Sequence, residues 1–306
     1  MFEAHLPTKI QQIKSSVLDQ HEVKLFLKRE DEIDHEISGN KFRKLKYNLI
    51  SAIDQNFETL LTFGGAYSNH IHAVSAVGKK FNLNTIGIIR GERNDQLNPT
   101  LKDAENNGMQ LKFVDRQTYR EKNSDLFKKL LEEEFGRFYF IPEGGSNELA
   151  VKGCEEIADE ISEEFDWVCC SVGTGGTISG LINGLKGKAR VLGFPALKNA
   201  YFLEKEIKSF LEMRKSNVST GWQLSFDYHF GGYAKYSWDL IHFINEFKEE
   251  HGVQLDPIYT GKMIFGIIDL AKNDFFAKDV KVLAIHTGGL QGIRGFNERF
   301  GQLIHV

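Results

Sequence analysis

At 306 residues, 41% of them hydrophobic, the chain is long enough for two α/β domains with sizeable cores. Its 38 basic and 42 acidic side chains are interspersed, and the net charge of −4 argues against a nucleic-acid surface. No segment is long and apolar enough to span a membrane, and residues 1–10 lack the apolar core of a secretory signal, so a cytoplasmic protein is expected.

The pattern predicts a first strand over residues 25–28, followed by a helix that Ser38-Gly39-Asn40 opens. Phe42, Leu45 and Leu49 share one face of that helix, which puts Lys41 in its first turn; Lys44 and Lys46 read as solvated. A strand over 58–63 leads into Gly64-Gly65-Ala66-Tyr67-Ser68-Asn69-His70, and Ile71, Val74 and Val77 mark the next helix. A strand over 85–89, a helix over 100–107 and a strand over 111–114 follow. Residues 125–135 form a helix with Leu126, Leu130, Leu131 and Phe135 on one side, closed by Gly136. Pro142-Glu143-Gly144-Gly145-Ser146 marks a passage between two lobes. A strand over 167–172 then runs into Gly173-Thr174-Gly175-Gly176-Thr177 and a helix on Ile178, Leu181, Ile182 and Leu185. Residues 226–238, rich in aromatics around Gly231-Gly232-Tyr233, read as a loop over a cleft, and a strand over 282–285 ends in His286-Thr287-Gly288-Gly289. Alternation of this kind means parallel sheets with helices on both faces.

The glycine-rich turn at 173–177 reads as an anion cradle, because helix-start N–H groups have no partner within the helix and glycines admit a phosphate close to them. A nucleoside-triphosphate loop needs Lys-Ser or Lys-Thr where Ile178-Ser179 stands. A dinucleotide fingerprint needs a third glycine at 178 and an acidic residue roughly 20 residues on, and Leu192-Gly193-Phe194-Pro195 supplies none. What remains is a phosphate monoester used as a handle. A lysine amine able to form a Schiff base, next to such a handle, is what pyridoxal phosphate requires, and Lys41 is the candidate. Ser68 and Asn69 at a helix start can cap it or face a ligand.

Ser-Gly-Asn-Lys at 38–41, Gly-Gly-x-x-Ser-Asn-His at 64–70, Val-Gly-Thr-Gly-Gly-Thr at 172–177 and His-Thr-Gly-Gly at 286–289 together resemble the pyridoxal-phosphate enzymes of the tryptophan synthase β type. Within it, the chain is most similar to the 1-aminocyclopropane-1-carboxylate deaminase and D-cysteine desulfhydrase group, which also has a segment like Asp256-Pro257-Ile258-Tyr259-Thr260-Gly261-Lys262. The resemblance covers about residues 28–296 and implies a two-domain, three-layer α/β/α fold with mostly parallel sheets. It implies a smaller domain over 45–153, a larger one from 1–44 plus 154–306 that carries the phosphate loop, the cofactor in the cleft between them, and a homodimer. Lys41 would bind the cofactor and move the Cα proton; Gly173, Thr174, Gly175, Gly176 and Thr177 would hold the phosphate. Asn69 would meet the ring hydroxyl, Ser68 the substrate carboxylate, His70 would pack beside them, and Tyr259 and Tyr233 would cover the reacting face.

Ring-opening deaminases of the group carry glutamate and leucine where this chain has Thr260 and Thr287, and both threonines match the desulfhydrases. A carboxylate keeps a pyridine nitrogen protonated and a hydroxyl does not, which leaves a weaker electron sink that suffices when a good leaving group departs from Cβ. The expectation is therefore β-elimination from a small D-amino acid, D-cysteine giving pyruvate, ammonia and hydrogen sulfide. The alternatives are a ring-opening deaminase and a non-catalytic cofactor- or metabolite-binding protein. Cys154, Cys169 and Cys170 read as small buried hydrophobes, and His72 as a cap or solvent-facing side chain rather than, with His70, a metal ligand.

Overall fold

The computed structural model describes residues 4–215 and 220–306. Its strands are β1 (Ile10–Ile13), β2 (Lys24–Lys28), β3 (Thr59–Gly65), β4 (Asn84–Arg90), β5 (Met109–Val114), β6 (Tyr139–Ile141), β7 (Trp167–Val172), β8 (Arg190–Pro195), β9 (Trp222–Leu224) and β10 (Lys281–Ile285). They form two sheets, ordered β1-β2-β10-β7-β8-β9 and β5-β4-β3-β6. Every pairing is parallel except β1 on β2 at an edge. Parallel sheets need cover on both faces, and β7 shows why its run is apolar throughout. Trp167 and Cys169 enter one core, while Val168, Cys170 and Val172 enter the other. Burial raises the thiol pKa of Cys169 and Cys170 and pushes Cys154 up to about 11, which leaves all three unreactive.

The helices are α1 (Ser16–Gln20), α2 (Asn40–Asp54), α3 (Asn69–Phe81), α4 (Pro99–Asn106), α5 (Arg116–Arg120), α6 (Asp125–Phe135), α7 (Glu148–Asp159), α8 (Gly176–Leu185), α9 (Phe202–Met213), α10 (Trp238–His251), α11 (Thr260–Lys272) and α12 (Gly292–Phe300). On the larger sheet, α1, α10, α11 and α12 cover one face and α7, α8 and α9 the other. On the smaller sheet, α2, α3 and α4 lie opposite α5 and α6. Both halves are thus α/β/α sandwiches, as expected from the alternation. None of the described helices is long and apolar enough to cross a membrane.

The predicted face of α6 is wrong by about one residue's rotation. Leu126 and Leu130 are 71% and 51% exposed, while Phe127 and Leu131 are buried. Phe127 packs its ring 6.1 Å from that of Phe63 on β3, and an aromatic ring buries more apolar area than either leucine. His72 also departs from expectation: it caps nothing, is half-buried, and lies 3.8 Å from Asp103.

A buried ion network anchors the start of α2. Arg43 donates to both oxygens of Glu30 at 2.9 and 3.0 Å and pairs with Glu160 at 2.7 Å, and Lys28 Nζ reaches Glu160 at 2.8 Å. Arg43, Lys28 and Glu30 are fully buried. Burial alone would weaken the guanidinium's charge, but its two carboxylates overcome this and hold its pKa above the ordinary value. The network ties α2 to β2 and α7, so the helix that carries Lys41 is fixed from behind.

Candidate active site

The starts of α2, α3 and α8 and the turn after β10 converge at the carboxyl ends of the strands, where ligands of parallel sheets gather. Gly39 makes the convergence possible. With φ +66° it sits against the next turn so closely that a Cβ there would lie 2.1 Å from the Thr287 carbonyl oxygen. Asn40 N–H instead donates to that oxygen at 3.2 Å. The Asn40 side chain then bridges two motifs, donating to Thr177 Oγ1 at 2.9 Å and accepting from Lys41 Nζ at 3.1 Å. Burial, with the neighbouring Lys44 charge, lowers the Lys41 amine to about 7.

Lys44 is not solvated as the sequence suggested; it is 2% exposed. Three residues beyond Lys41, it shares that helical face and reaches Gly144 O at 3.1 Å, Ser146 Oγ at 2.8 Å and Thr174 Oγ1 at 3.4 Å. The glycine loop therefore does have a lysine, supplied by another helix. A Cβ at Gly176 would come within 2.9 Å of Ser146 Oγ and 3.3 Å of Lys44 Nζ. No side chain caps α8, whereas Ser68, Asn98, Ser124, Asn147 and Ser237 cap helices elsewhere. Its first N–H groups are left for an anion.

Ser68 does both of the jobs considered for it. Its Oγ accepts from His70 N and Ile71 N at 3.2 and 3.3 Å, and its hydroxyl proton remains free for the cleft that it lines. Asn69 lines the same cleft with its Oδ1 taken by Gln291 Nε2. His70 is buried, and its Nε2 lies 2.8 Å from Thr62 Oγ1. The Thr62 hydroxyl donates to Ile141 O at 2.8 Å, so it must accept from His70, which places the imidazole proton on Nε2. Burial first, then the charges of Lys41 and Lys44, hold that ring neutral.

Tyr259 covers Gly173, where a Cβ would lie 3.4 Å from its ring, and Tyr233 stands edge-on to it with ring centroids 6.1 Å apart. Burial and the neighbouring Tyr233 phenol keep Tyr259 protonated well beyond neutral pH. Thr287 lines the cleft with its Oγ1 3.4 Å from Ser171 Oγ. Thr260 does not line it. Its hydroxyl donates to Asp256 Oδ1 at 2.8 Å and accepts from Asp256 N at 2.9 Å, because Asp256 caps the start of α11 with further bonds from Ile258, Tyr259 and Thr260 N–H groups. Thr260 thus acts from behind the wall, and Ser171, Asn40, Lys44 and Ser146 are the site residues that sequence reasoning passed over.

The cleft, about 640 Å³ including its open mouth, holds two lysines, hydroxyls, amides and a neutral histidine, and among the described residues no Asp or Glu side chain lines it. These groups fit the cofactor that the resemblance implies. The uncapped start of α8, Thr174, Thr177 and the Lys44 ammonium suit a phosphate monoester, and a buried amine that is half neutral near pH 7 suits an aldehyde.

A family profile described as pyridoxal-phosphate-dependent enzyme matches residues 1–288. The chain is 31% identical to the bifunctional D-cysteine desulfhydrase/1-aminocyclopropane-1-carboxylate deaminase, mitochondrial, of Arabidopsis thaliana over 95% of this chain and 78% of that protein. It is 33% identical to a putative 1-aminocyclopropane-1-carboxylate deaminase of Thermotoga maritima over 94% and 95% of the two chains. A crystal structure of an ACC deaminase homologue superposes with a TM-score of 0.84 at 28% identity, covering 97% of this chain and 94% of the other.

Proposed function

The chain belongs to the family of pyridoxal-phosphate-dependent enzymes, and from that premise we propose that it catalyses β-elimination on a small D-amino acid, with D-cysteine as substrate. One D-cysteine and one water give pyruvate, ammonia and hydrogen sulfide. The observation that carries the reading is a cleft with cations and neutral hydroxyls but, among the described residues, no carboxylate in its wall. Asp256, the nearest one behind Gly289, has its carboxylate absorbed by four donors. Nothing in the wall would hold a ring nitrogen protonated, which favours a reaction whose electrons leave with a thiolate.

When bound, pyridoxal phosphate supplies an aldehyde carbon that captures amines and a ring that makes the α-hydrogen of an attached amino acid acidic. Lys44, Thr174, Thr177 and the first N–H groups of α8 would hold its phosphate, and the Asn69 amide, fixed by Gln291, would meet its ring hydroxyl. The Lys41 amine, largely uncharged just above pH 7, takes the proton from the substrate Cα. Ser68 Oγ–H and the start of α3 hold the substrate carboxylate, since a helix N-terminus favours negative charge. Tyr259, kept protonated, gives its proton to the departing sulfur, and Tyr233 closes the reacting face against water.

A second reading, ring opening of 1-aminocyclopropane-1-carboxylate to 2-oxobutyrate and ammonia, is supported by the names of the relatives. Incubating the cofactor-loaded protein with each substrate separates the two. Sulfide and pyruvate from D-cysteine without 2-oxobutyrate support elimination. The reverse result transfers the assignment to ring opening, and silence on both substrates leaves a binding protein and overturns the proposal.

A further inference from the structure

Lys262 closes the segment that begins at Asp256, yet the reaction proposed above makes no use of it. It is 2% exposed on the first turn of α11, and no carboxylate pairs with it among the described residues. Its Nζ donates instead to two backbone carbonyls of the aromatic segment before α10, His229 O at 2.9 Å and Gly232 O at 2.8 Å. A buried ammonium without an ion pair is costly, so a position that keeps one must use its donors.

The segment it grips does not hold its shape by itself. Phe230, Gly231, Gly232 and Ala234 all have left-handed φ values, of 51°, 91°, 119° and 54°, and for the two residues with a Cβ this conformation costs about 1 kcal/mol or more each. Internal support is limited to turn bonds, Gly232 N to His229 O at 2.9 Å and Lys235 N to Gly232 O at 3.1 Å, and these end on the same two carbonyls that Lys262 holds. A second pin comes from the same helix, since Tyr228 Oη donates to Asp269 at 2.9 Å. Tyr233 lies between the gripped carbonyl of Gly232 and the left-handed Ala234, and it projects over Tyr259, which immediately precedes α11. One helix start therefore presents Tyr259 directly and Tyr233 through an ammonium.

We propose that Lys262 is a positioning residue, whose two carbonyl bonds fix the segment over 229–235 so that Tyr233 stands over Tyr259 at the mouth of the cleft. A lysine can only donate and a carbonyl can only accept, so the direction of these bonds is unambiguous. The effect on turnover rests on the elimination reading; the effect on the segment does not. Lys235, exposed within the segment, offers a cleavage site for trypsin. On the cofactor-loaded protein, Lys262→Met should speed cleavage after Lys235 by about tenfold while cleavage elsewhere is unchanged, as local opening requires. Lys262→Arg, which keeps two donors, should restore most of the protection. With D-cysteine, Lys262→Met and Tyr233→Ala should each lower kcat/KM, and the double variant should be no worse than Tyr233→Ala alone, because both changes act on one group. An unaltered cleavage rate in soluble Lys262→Met, or additive losses in the double variant, overturns the assignment. Should Lys262→Met fail to fold, Lys262→Gln, with a shorter and singly bonding side chain, is read in the same two assays. A chain that leaves D-cysteine untouched defeats the proposed reaction, while the cleavage rates still decide the role of Lys262.

Discussion

Helix α2 buries cations on two sides, and the two sides treat them in opposite ways. Behind the helix, Arg43 and Lys28 meet Glu30 and Glu160 at ion-pair distance, and the Arg43 pKa rises. Facing the cleft, Lys41 and Lys44 meet only carbonyl, amide and hydroxyl oxygens, and both pKa values fall through burial. Cations supplied with carboxylates hold the fold, because their charge is already spoken for. Cations denied carboxylates keep an unsatisfied charge, or a free amine, for a ligand that brings its own negative groups. The contrast separates structural from chemical residues on a single helix, only one to three residues apart.

The largest expected effect breaks the cleft side. Lys41→Ala should lower D-cysteine turnover by about a thousandfold or more and abolish the visible band of the cofactor-loaded protein, because both base and attachment point are removed. Next comes the network side. Arg43→Met leaves Glu30 and Glu160 buried without their main partner and should cost about 3–5 kcal/mol in denaturant unfolding, with the Lys41 chemistry intact in whatever fraction folds. Lys44→Gln sits between the two: it should weaken binding of pyridoxal phosphate by about tenfold to a hundredfold, the worth of one charge-assisted bond, with little change in stability. Loss of stability without loss of affinity would move Lys44 to the structural class.

Much of this was legible before the coordinates. The strands at 167–172 and 282–285 are apolar on every residue because both faces are covered, and the glycine turns announced where ligands approach. Lys44 was not seen, although its i,i+3 spacing from Lys41 places both on one face; the missing information was that the turn at 144–146 packs against that face. Thr260 was read correctly as a residue type and wrongly as a cleft-lining group, since only the structure shows Asp256 taking its hydroxyl. The ion network depends on three segments far apart in sequence, Glu30, Arg43 and Glu160, and no local pattern announces such a meeting. The α6 face failed because four apolar residues allowed two rotations, and contact with Phe63 chose between them.

The smallest effect sharpens the comparison most, because its sign differs between the two sides of one helix. In the cofactor-free protein, the Lys41 amine titrates near about 7 against 10.5 in an exposed lysine. Between those values the unfolded chain binds a proton that the folded chain lacks, so stability rises with pH across that window. Below pH 7 both states are protonated, and the folded state bears a buried ammonium without a carboxylate. Methionine of similar length carries no such charge. Lys41→Met should therefore raise the unfolding free energy at pH 6 by on the order of 1 kcal/mol, and the gain should shrink as pH climbs towards that of a free lysine. Glu160 on the other side obeys the opposite rule. Its pKa is lowered by Lys28 and Arg43 against the opposing pull of burial, so its contribution is present above the ordinary carboxylate value of 4.5 and is lost as pH falls below it. Arg43→Met should thus destabilise at neutral pH and flatten the acid limb, whereas Lys41→Met should stabilise and flatten the alkaline rise. Parallel melting curves for the two variants across pH 4 to 10 would erase the distinction between the two sides of α2.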